Sequence, residues 1–303
     1  MLQALDERNL DVIVNVGGRL THRSEAAVSP FDSAVQGGDA VWEGLRLYRG
    51  KIFRLEEHLA RLRRSAVALA FASVPSDEEI TGQIRAALRA NGMTDNVHIR
   101  LTLTRGVKIT SGMDPRLNQS GPTLIVLAEH KPPVYDQSGI TLITASVRRP
   151  PPDVLDPKIH HNNLLSSILA KIEANVAGAD DAVMLDPRGF VAETNATHLF
   201  LVTGGRLGTP AAVACPEGIT RAAVLELAEG AGIGCDVGDL SLTQFYAADE
   251  VFVTGTMGGL TPVTAIDGRI IGGGSPGPVT LRLAALFAGL TACSGTPVAQ
   301  DTP

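Results

Sequence analysis

Asp156-Pro157-Lys158-Ile159-His160-His161-Asn162-Asn163-Leu164-Leu165 sets a lysine just ahead of a strongly periodic stretch. Leu165, Ile168, Leu169, Ile172 and Val176 recur at spacings of three and four, the pattern of a helix with one apolar stripe toward a core, and Gly178 is a good cap for its end. Lysine is scarce here. Of 26 basic residues 21 are arginine, which leaves lysines only at positions 51, 108, 131, 158 and 171. Arginine stays charged at any working pH, whereas lysine can be desolvated to a neutral amine that attacks carbonyl carbons. Read alone, Lys158 is a solvated loop lysine; partners elsewhere in the chain are needed to make it a nucleophile.

Before this stretch, residues 10–16 read as a buried strand, and Gly17-Gly18 as a two-residue hairpin turn into Arg19-Leu20-Thr21. Asp39 to Tyr48 reads as a strand, and Arg49-Gly50-Lys51 as a turn. From Leu55 a helix is predicted, with Leu55, His58, Leu59, Leu62 and Ala66 on one face and Arg61 pointing away from it. A second helix is expected from about Asp77 to Asn91, after Pro75-Ser76. Strands follow at 97–104 and 123–128. Lys131 to Asp136, rich in proline, reads as a linker, and Ile140 to Val147 as the next strand.

After the stretch, Asp181 to Asp186 and Phe190 to Glu193 read as a strand pair turning at Pro187-Arg188-Gly189, with further strands at 199–202 and 251–254. Helices are expected at about 218–230 and 281–290. Without regular β-α-β alternation, the pattern predicts two α+β domains: 1–131, a linker at 132–138, and 139–290. The small, polar tail at 291–303 is expected to be disordered.

At 303 residues, 44% hydrophobic and 19% charged, the chain has the composition of a soluble globular protein. No apolar run approaches membrane-spanning length, and the N-terminus lacks the order of a signal peptide, which places the protein in the cytoplasm. A net charge of −6 and 4% aromatic residues offer neither a basic stripe nor stacking platforms, so nucleic acid is not an expected partner. Cys215, Cys235 and Cys293 are too few and scattered for a disulfide framework or a metal site, and adjacent His160 and His161 do not share a helix face. No metal is expected. The commonest dinucleotide, nucleotide, zinc-protease and hydrolase motifs are missing from the sequence.

What remains makes sense together. Gly218, Ile219 and Thr220 open a helix, whose unpaired N–H groups and dipole favour an anion. Gly255-Thr256-Met257-Gly258 follows a strand and offers hydroxyl and amide donors. Glu193, at the end of an apolar strand, is a carboxylate that needs a cationic partner if buried. Each has an ordinary structural reading when taken singly: a common helix cap, a glycine turn, a surface glutamate.

The ordered set Gly38-Asp39-Ala40-Val41-Trp42-Glu43-Gly44-Leu45-Arg46, His58-Leu59-Ala60-Arg61-Leu62, Lys158, Gly189 to Thr194, Gly218-Ile219-Thr220-Arg221, Ala248 to Phe252, and Gly255-Thr256 with Leu260 to Val263 resembles class IV pyridoxal-phosphate aminotransferases. The likeness runs from about residue 12 to 290. It implies a fold type IV enzyme, with a small N-terminal α/β domain and a larger C-terminal α/β-barrel-like domain. It also implies pyridoxal 5'-phosphate as cofactor and at least a homodimer, each active site completed by a loop of the neighbour.

Carried over by position, Lys158 resembles the Schiff-base lysine and Glu193 the partner of the pyridine nitrogen. Arg61, Gly218, Ile219, Thr220, Gly255 and Thr256 resemble the phosphate-binding set, Asn195 a further cofactor contact, and Arg100 with Thr256 and Met257 a site for a substrate carboxylate. The activity implied is transamination between an amino acid and a 2-oxo acid, branched-chain L-amino acids first. D-amino acid transamination, lyase chemistry and a non-catalytic cofactor-binding relative stand behind it. This sequence departs from the family pattern at Asn163, where a tyrosine is usual, and at His198, Gly259 and Pro216.

Overall fold

The computed structural model describes residues 4–298 and divides them into two compact units. The N-terminal unit holds residues 4–132, 159–163 and 291–298; the C-terminal unit holds Pro133–Lys158 and Leu164–Leu290. The chain therefore crosses from one unit to the other between Lys158 and Ile159, inside the stretch quoted first.

The N-terminal unit contains β1 (Ile13–Val16), β2 (Arg19–His22), α1 (Ser33–Gly37), β3 (Ala40–Tyr48), β4 (Lys51–Ile52), α2 (Leu55–Ala68), α3 (Asp77–Ala90), β5 (Val97–Thr104) and β6 (Thr123–His130). The C-terminal unit follows with β7 (Ile140–Thr144), α4 (Pro152–Leu155), α5 (Leu165–Val176), β8 (Asp181–Leu185), β9 (Val191–Thr194), β10 (His198–Thr203), β11 (Arg206–Pro210), α6 (Ile219–Gly230), β12 (Cys235–Gly238), α7 (Leu242–Tyr246), β13 (Glu250–Gly255), β14 (Gly259–Ile266), β15 (Arg269–Ile270) and most of α8 (Pro278–Cys293). The short β16 (Thr296–Pro297) returns to the first unit and pairs with β4.

The first sheet is antiparallel throughout, in the order β16-β4-β3-β5-β6-β1-β2. Its local logic is visible in the turns. Gly17 and Gly18 both take positive φ, as do Arg49 and Gly50, the geometry a two-residue hairpin requires. Ser76 and Glu79 form a reciprocal capping box that starts α3. Alternate residues of β3 and β5, Val41, Leu45, Leu47, Ile99, Leu101 and Leu103, are buried with Leu59 and Leu62 of α2 and Ile80, Ile84 and Leu88 of α3.

The second sheet runs β12-β11-β10-β13-β14-β7-β8-β9, with parallel pairs at β11·β12, β14·β7 and β7·β8. Its last strand turns tightly into β10, where Thr194 N–H donates to Thr197 O at 2.7 Å, so the sheet curls into a half-barrel. β8, β9 and most of β10 and β13 are buried along their length, which explains their continuous apolar runs.

Two expectations are corrected here. The apolar stripe of α5 does not face a core: Leu165, Ile168, Leu169, Ile172 and Val176 are 50–86% exposed, and the helix buries Ala170 and Ala174 with Ala182 and Met184 of β8 instead. Small side chains let the helix lie close on the strand. The tail expected to be disordered is ordered in part, since α8 extends to Cys293 and β16 pairs with β4; its residues 299–303 lie outside the described residues.

Gly106 offers a direct check of the loop packing. It has φ +104, and a Cβ there would lie 1.9 Å from the Gly121 carbonyl oxygen. Gly106→Ala is expected to lower stability by about 1–3 kcal/mol, seen as a reduced urea midpoint. Gly82→Ala on α3, where a Cβ meets nothing, is expected to raise it by about 0.5–1 kcal/mol.

Candidate active site

In the C-terminal unit, Lys158 is exposed. Its backbone N–H donates to Asp156 Oδ1 at 2.9 Å, and Nζ reaches the Val213 carbonyl at 3.4 Å. Glu193 sits on β9 opposite Met184 of β8 and is 3% exposed. The cation a buried carboxylate demands is Arg149, whose Nη2 lies against Glu193 Oε1. Arg149 carries no motif in the sequence that marks it as this partner. Burial pulls the Arg149 guanidinium down to about 10, against a smaller upward pull from Cys215. Burial also pushes the Cys215 thiol up, opposed by Arg221, Arg149 and Lys158, so these four groups lie within electrostatic reach of one another.

Gly218 is the N-cap of α6 and has no side chain to cap it, so the first-turn amides at Ile219 and Thr220 keep the open character of an uncapped helix start. Glycine is required there: a Cβ would fall 2.3 Å from the His198 ring. His198, one of the departures from the family pattern, therefore packs directly against the helix start. Gly255 closes β13, and the hairpin to Gly259 carries Thr256 and Met257. The linker braces this turn. Val134 N–H donates to Met257 O at 3.4 Å, and a Cβ on Gly258 would lie 2.7 Å from the Tyr135 ring.

Asn195 is committed to the fold. Its Oδ1 accepts from Ala182 N–H at 2.8 Å, and its Nδ2 donates to Asp181 at 3.1 Å. Tyr135 hydroxyl donates to the other oxygen of Asp181. The Asn195 amide thus secures the strand end after Glu193, a different task from the direct cofactor contact expected of it.

In the N-terminal unit the expected direction of Arg61 is corrected. The side chain is buried, not turned to solvent, and grips Glu43 of β3 with Nε at 2.8 Å and Nη2 at 2.6 Å. Glu43 is fully buried; His58 Nδ1 also donates to it at 2.6 Å, and His160 Nδ1 stands 3.4 Å away. Burial would raise the Glu43 carboxyl, but the charges and hydrogen bonds of His160 and Arg61 hold it well below the usual carboxylate range. A carboxylate inside a β3 core position carries no sequence signal apart from an acidic residue in an apolar strand.

The segment Ile159–Asn163 is laid along β3. Trp42 N–H donates to His160 O at 2.9 Å, Asn162 N–H to Ala40 O at 3.0 Å, and the Trp42 indole N–H to His161 O at 3.0 Å. The rings of Trp42 and His160 stack at 4.3 Å. Arg100 lies 3.6 Å from the Trp42 ring centroid and donates to Asn162 Oδ1 at 3.0 Å, with no carboxylate partner of its own among the described ion pairs. Asn163 donates to Gly38 O at 3.1 Å.

The chain belongs to the amino-transferase class IV family, whose defining pattern matches residues 40–266. The chain is 57% identical over 291 residues to branched-chain-amino-acid aminotransferase-like protein 2 of Arabidopsis thaliana, covering 96% of this chain and 52% of that protein. It thus spans about half the length of that plant relative. It is 40% identical over 275 residues to a putative branched-chain-amino-acid aminotransferase of Methanocaldococcus jannaschii, covering 90% and 94%. Among solved structures, the branched-chain amino acid aminotransferase of Escherichia coli superposes with a TM-score of 0.86 at 30% identity, covering 96% of this chain and 100% of that one. That of Thermobaculum terrenum in its PLP-form gives 0.83 at 28%, covering 94% and 95%.

Acid should weaken the N-terminal unit. Burial first, then the charges of Lys131, Arg100 and Arg46, push His98 down to about 3 from an ordinary value of 6.5. The unfolded chain therefore binds a proton near pH 6.5 that the folded chain refuses; the stability involved is full above 6.5 and is lost as pH falls toward 3. Urea titrations at pH 7.5 and 5 should show that loss, and His98→Leu should flatten it; an unchanged slope would contradict the assignment. Glu43→Gln, which strands Arg61 and His58, is expected to cost about 3–5 kcal/mol.

Proposed function

We propose that the chain is a pyridoxal-phosphate-dependent transaminase that moves an amino group from an amino acid, branched-chain L-amino acids first, to a 2-oxo acid. The observation that carries this reading is the set held by the C-terminal unit: an exposed amine at Lys158, a buried carboxylate at Glu193, and an uncapped, glycine-lined helix start at Gly218. These fit pyridoxal phosphate. Glu193 is a buried carboxylate, which suits the N–H of a pyridinium ring, and the start of α6 at Gly218 has no side-chain cap, which suits a phosphate.

The residues then divide the work. Lys158 Nζ would hold the cofactor at its aldehyde carbon and would carry the proton at the substrate α-carbon. Glu193 would keep the ring nitrogen protonated. The amides of Ile219 and Thr220 with the hydroxyls of Thr220 and Thr256, beside Gly218 and Gly255, would hold the phosphate. Arg61 belongs to the N-terminal unit, where the grip of Glu43 fixes its guanidinium in one orientation; the family resemblance alone assigns it to the phosphate. When bound, pyridoxal phosphate supplies the electron sink that makes the α-proton acidic.

Arg100, stacked on Trp42 and without a carboxylate partner among the described ion pairs, is a candidate for a substrate carboxylate; the hydroxyl and amides of the turn at Thr256 and Met257 are a separate candidate in the other unit. Asn195 supports the strand that carries Glu193. Asn163 stands where the family's tyrosine is usual, tied to Gly38. A cytoplasmic homodimer completes the reading. No helix among the described residues is long and apolar enough to cross a membrane.

The substrate is tested by incubating the holoenzyme with each enantiomer of leucine, alanine and glutamate plus a 2-oxo acid acceptor. Transfer from L-leucine with 2-oxoglutarate is expected to be fastest. Transfer confined to D-amino acids would overturn the substrate, and release of pyruvate without any acceptor would replace transamination by lyase chemistry.

A further inference from the structure

We propose that Arg149 is a positioning residue that keeps Glu193 ionised, so that the proton shared between Glu193 and the cofactor ring stays on the ring nitrogen. The inference rests on the reading of Glu193 as the ring-nitrogen partner. It starts from a pair that the transamination reading does not use. The side chains of Arg149 and Glu193 are 12% and 4% exposed, and Arg149 Nη2 lies against Glu193 Oε1.

Arg149 is itself fixed from two sides. Its backbone N–H donates to Leu185 O at 2.9 Å on β8, the strand that pairs with β9 beside Glu193. Its Nη1 donates to Ser167 Oγ at 3.1 Å in the first turn of α5. The guanidinium is therefore held by the strand and the helix that flank the carboxylate, while its buried Nε has no partner. A buried ion pair of this kind seldom adds stability over apolar side chains of the same volume, so stability alone does not account for it.

The pair matters because a buried carboxylate facing a pyridine can share one proton in two ways. With the proton on nitrogen the pair is charged; with the proton on oxygen it is neutral, and a site of low dielectric favours the neutral form. A fixed cation in contact with the carboxylate reverses that preference, because it stabilises the charged oxygen directly. The ring then remains a pyridinium and a strong electron sink. Arg149 would do this through Glu193.

The test uses holoenzyme reconstituted with pyridoxal phosphate labelled with nitrogen-15 in the ring, read by NMR. The wild-type signal is expected in the pyridinium range. Arg149→Met should move it toward unprotonated pyridine and lower kcat about tenfold, the equivalent of one pKa unit at the ring, with the KM for the amino donor little changed. Arg149→Lys should restore most of both. Arg149→Gln, which keeps a hydrogen-bonding side chain without the charge, should behave as the methionine variant does if that variant does not fold.

A methionine or glutamine variant with the wild-type nitrogen signal would overturn the proposal, whether or not kcat fell, since a fall alone would report only packing. Glu193→Gln separates the two levels. If it leaves the nitrogen signal unchanged, the assignment of Glu193 to the ring fails; if it moves the signal and the Arg149 variants do not, only the role of Arg149 fails.

Discussion

Burying a carboxylate is the constraint around which the N-terminal unit is built. Glu43 lies on the core face of β3 with no exposed surface, and an ionised group there is tolerable only with cations and donors in contact. Arg61 and His58 come from α2, His160 from the segment that follows Lys158. One carboxylate thereby fastens a helix and the 159–163 segment to the same strand. Backbone bonds from Ala40 and Trp42 to His160 and Asn162 complete the attachment. The segment that follows Lys158 is thus fixed to the N-terminal unit from His160 onward.

The C-terminal unit repeats the principle with Glu193 and Arg149, but the surroundings differ. There the carboxylate stands on a strand of the half-barrel whose neighbours are secured by Asn195, Asp181 and Tyr135, and the Tyr135 ring also packs on the turn after Gly255. The linker after Pro132 therefore does more than connect: it props the turn that carries Thr256 and Met257. Positional precision of this kind is what a cofactor site requires, because a displacement of about 1 Å can cost two orders of magnitude in rate.

Much of the architecture was legible in the chain. Two-residue turns at Gly17-Gly18 and Arg49-Gly50, the Ser76 helix start and the alternation in β3 and β5 rest on local backbone preferences, and local preferences can be read locally. The family was legible because the order of Lys158, Glu193 and the glycine-rich starts along the chain is itself informative. What escaped was set by tertiary partners. Arg61, opposite Leu59 on a helical wheel, is buried because Glu43 lies within reach of the helix edge it shares with His58. The stripe on α5 faces outward because Ala170 and Ala174 permit closer packing on β8 than leucines would. Asn195 is a cofactor contact by family resemblance, yet both ends of its amide are taken by Asp181 and Ala182. No spacing along the sequence encodes any of these three.

The central claim is that Lys158 binds pyridoxal phosphate covalently, and borohydride reduction tests it most directly. The protein is incubated with the cofactor, reduced, digested and examined by peptide mass spectrometry. A phosphopyridoxyl group on Lys158, and no such label in Lys158→Ala protein, is the predicted result. A label on another of the five lysines, or undiminished labelling of the Lys158→Ala protein, would contradict the account.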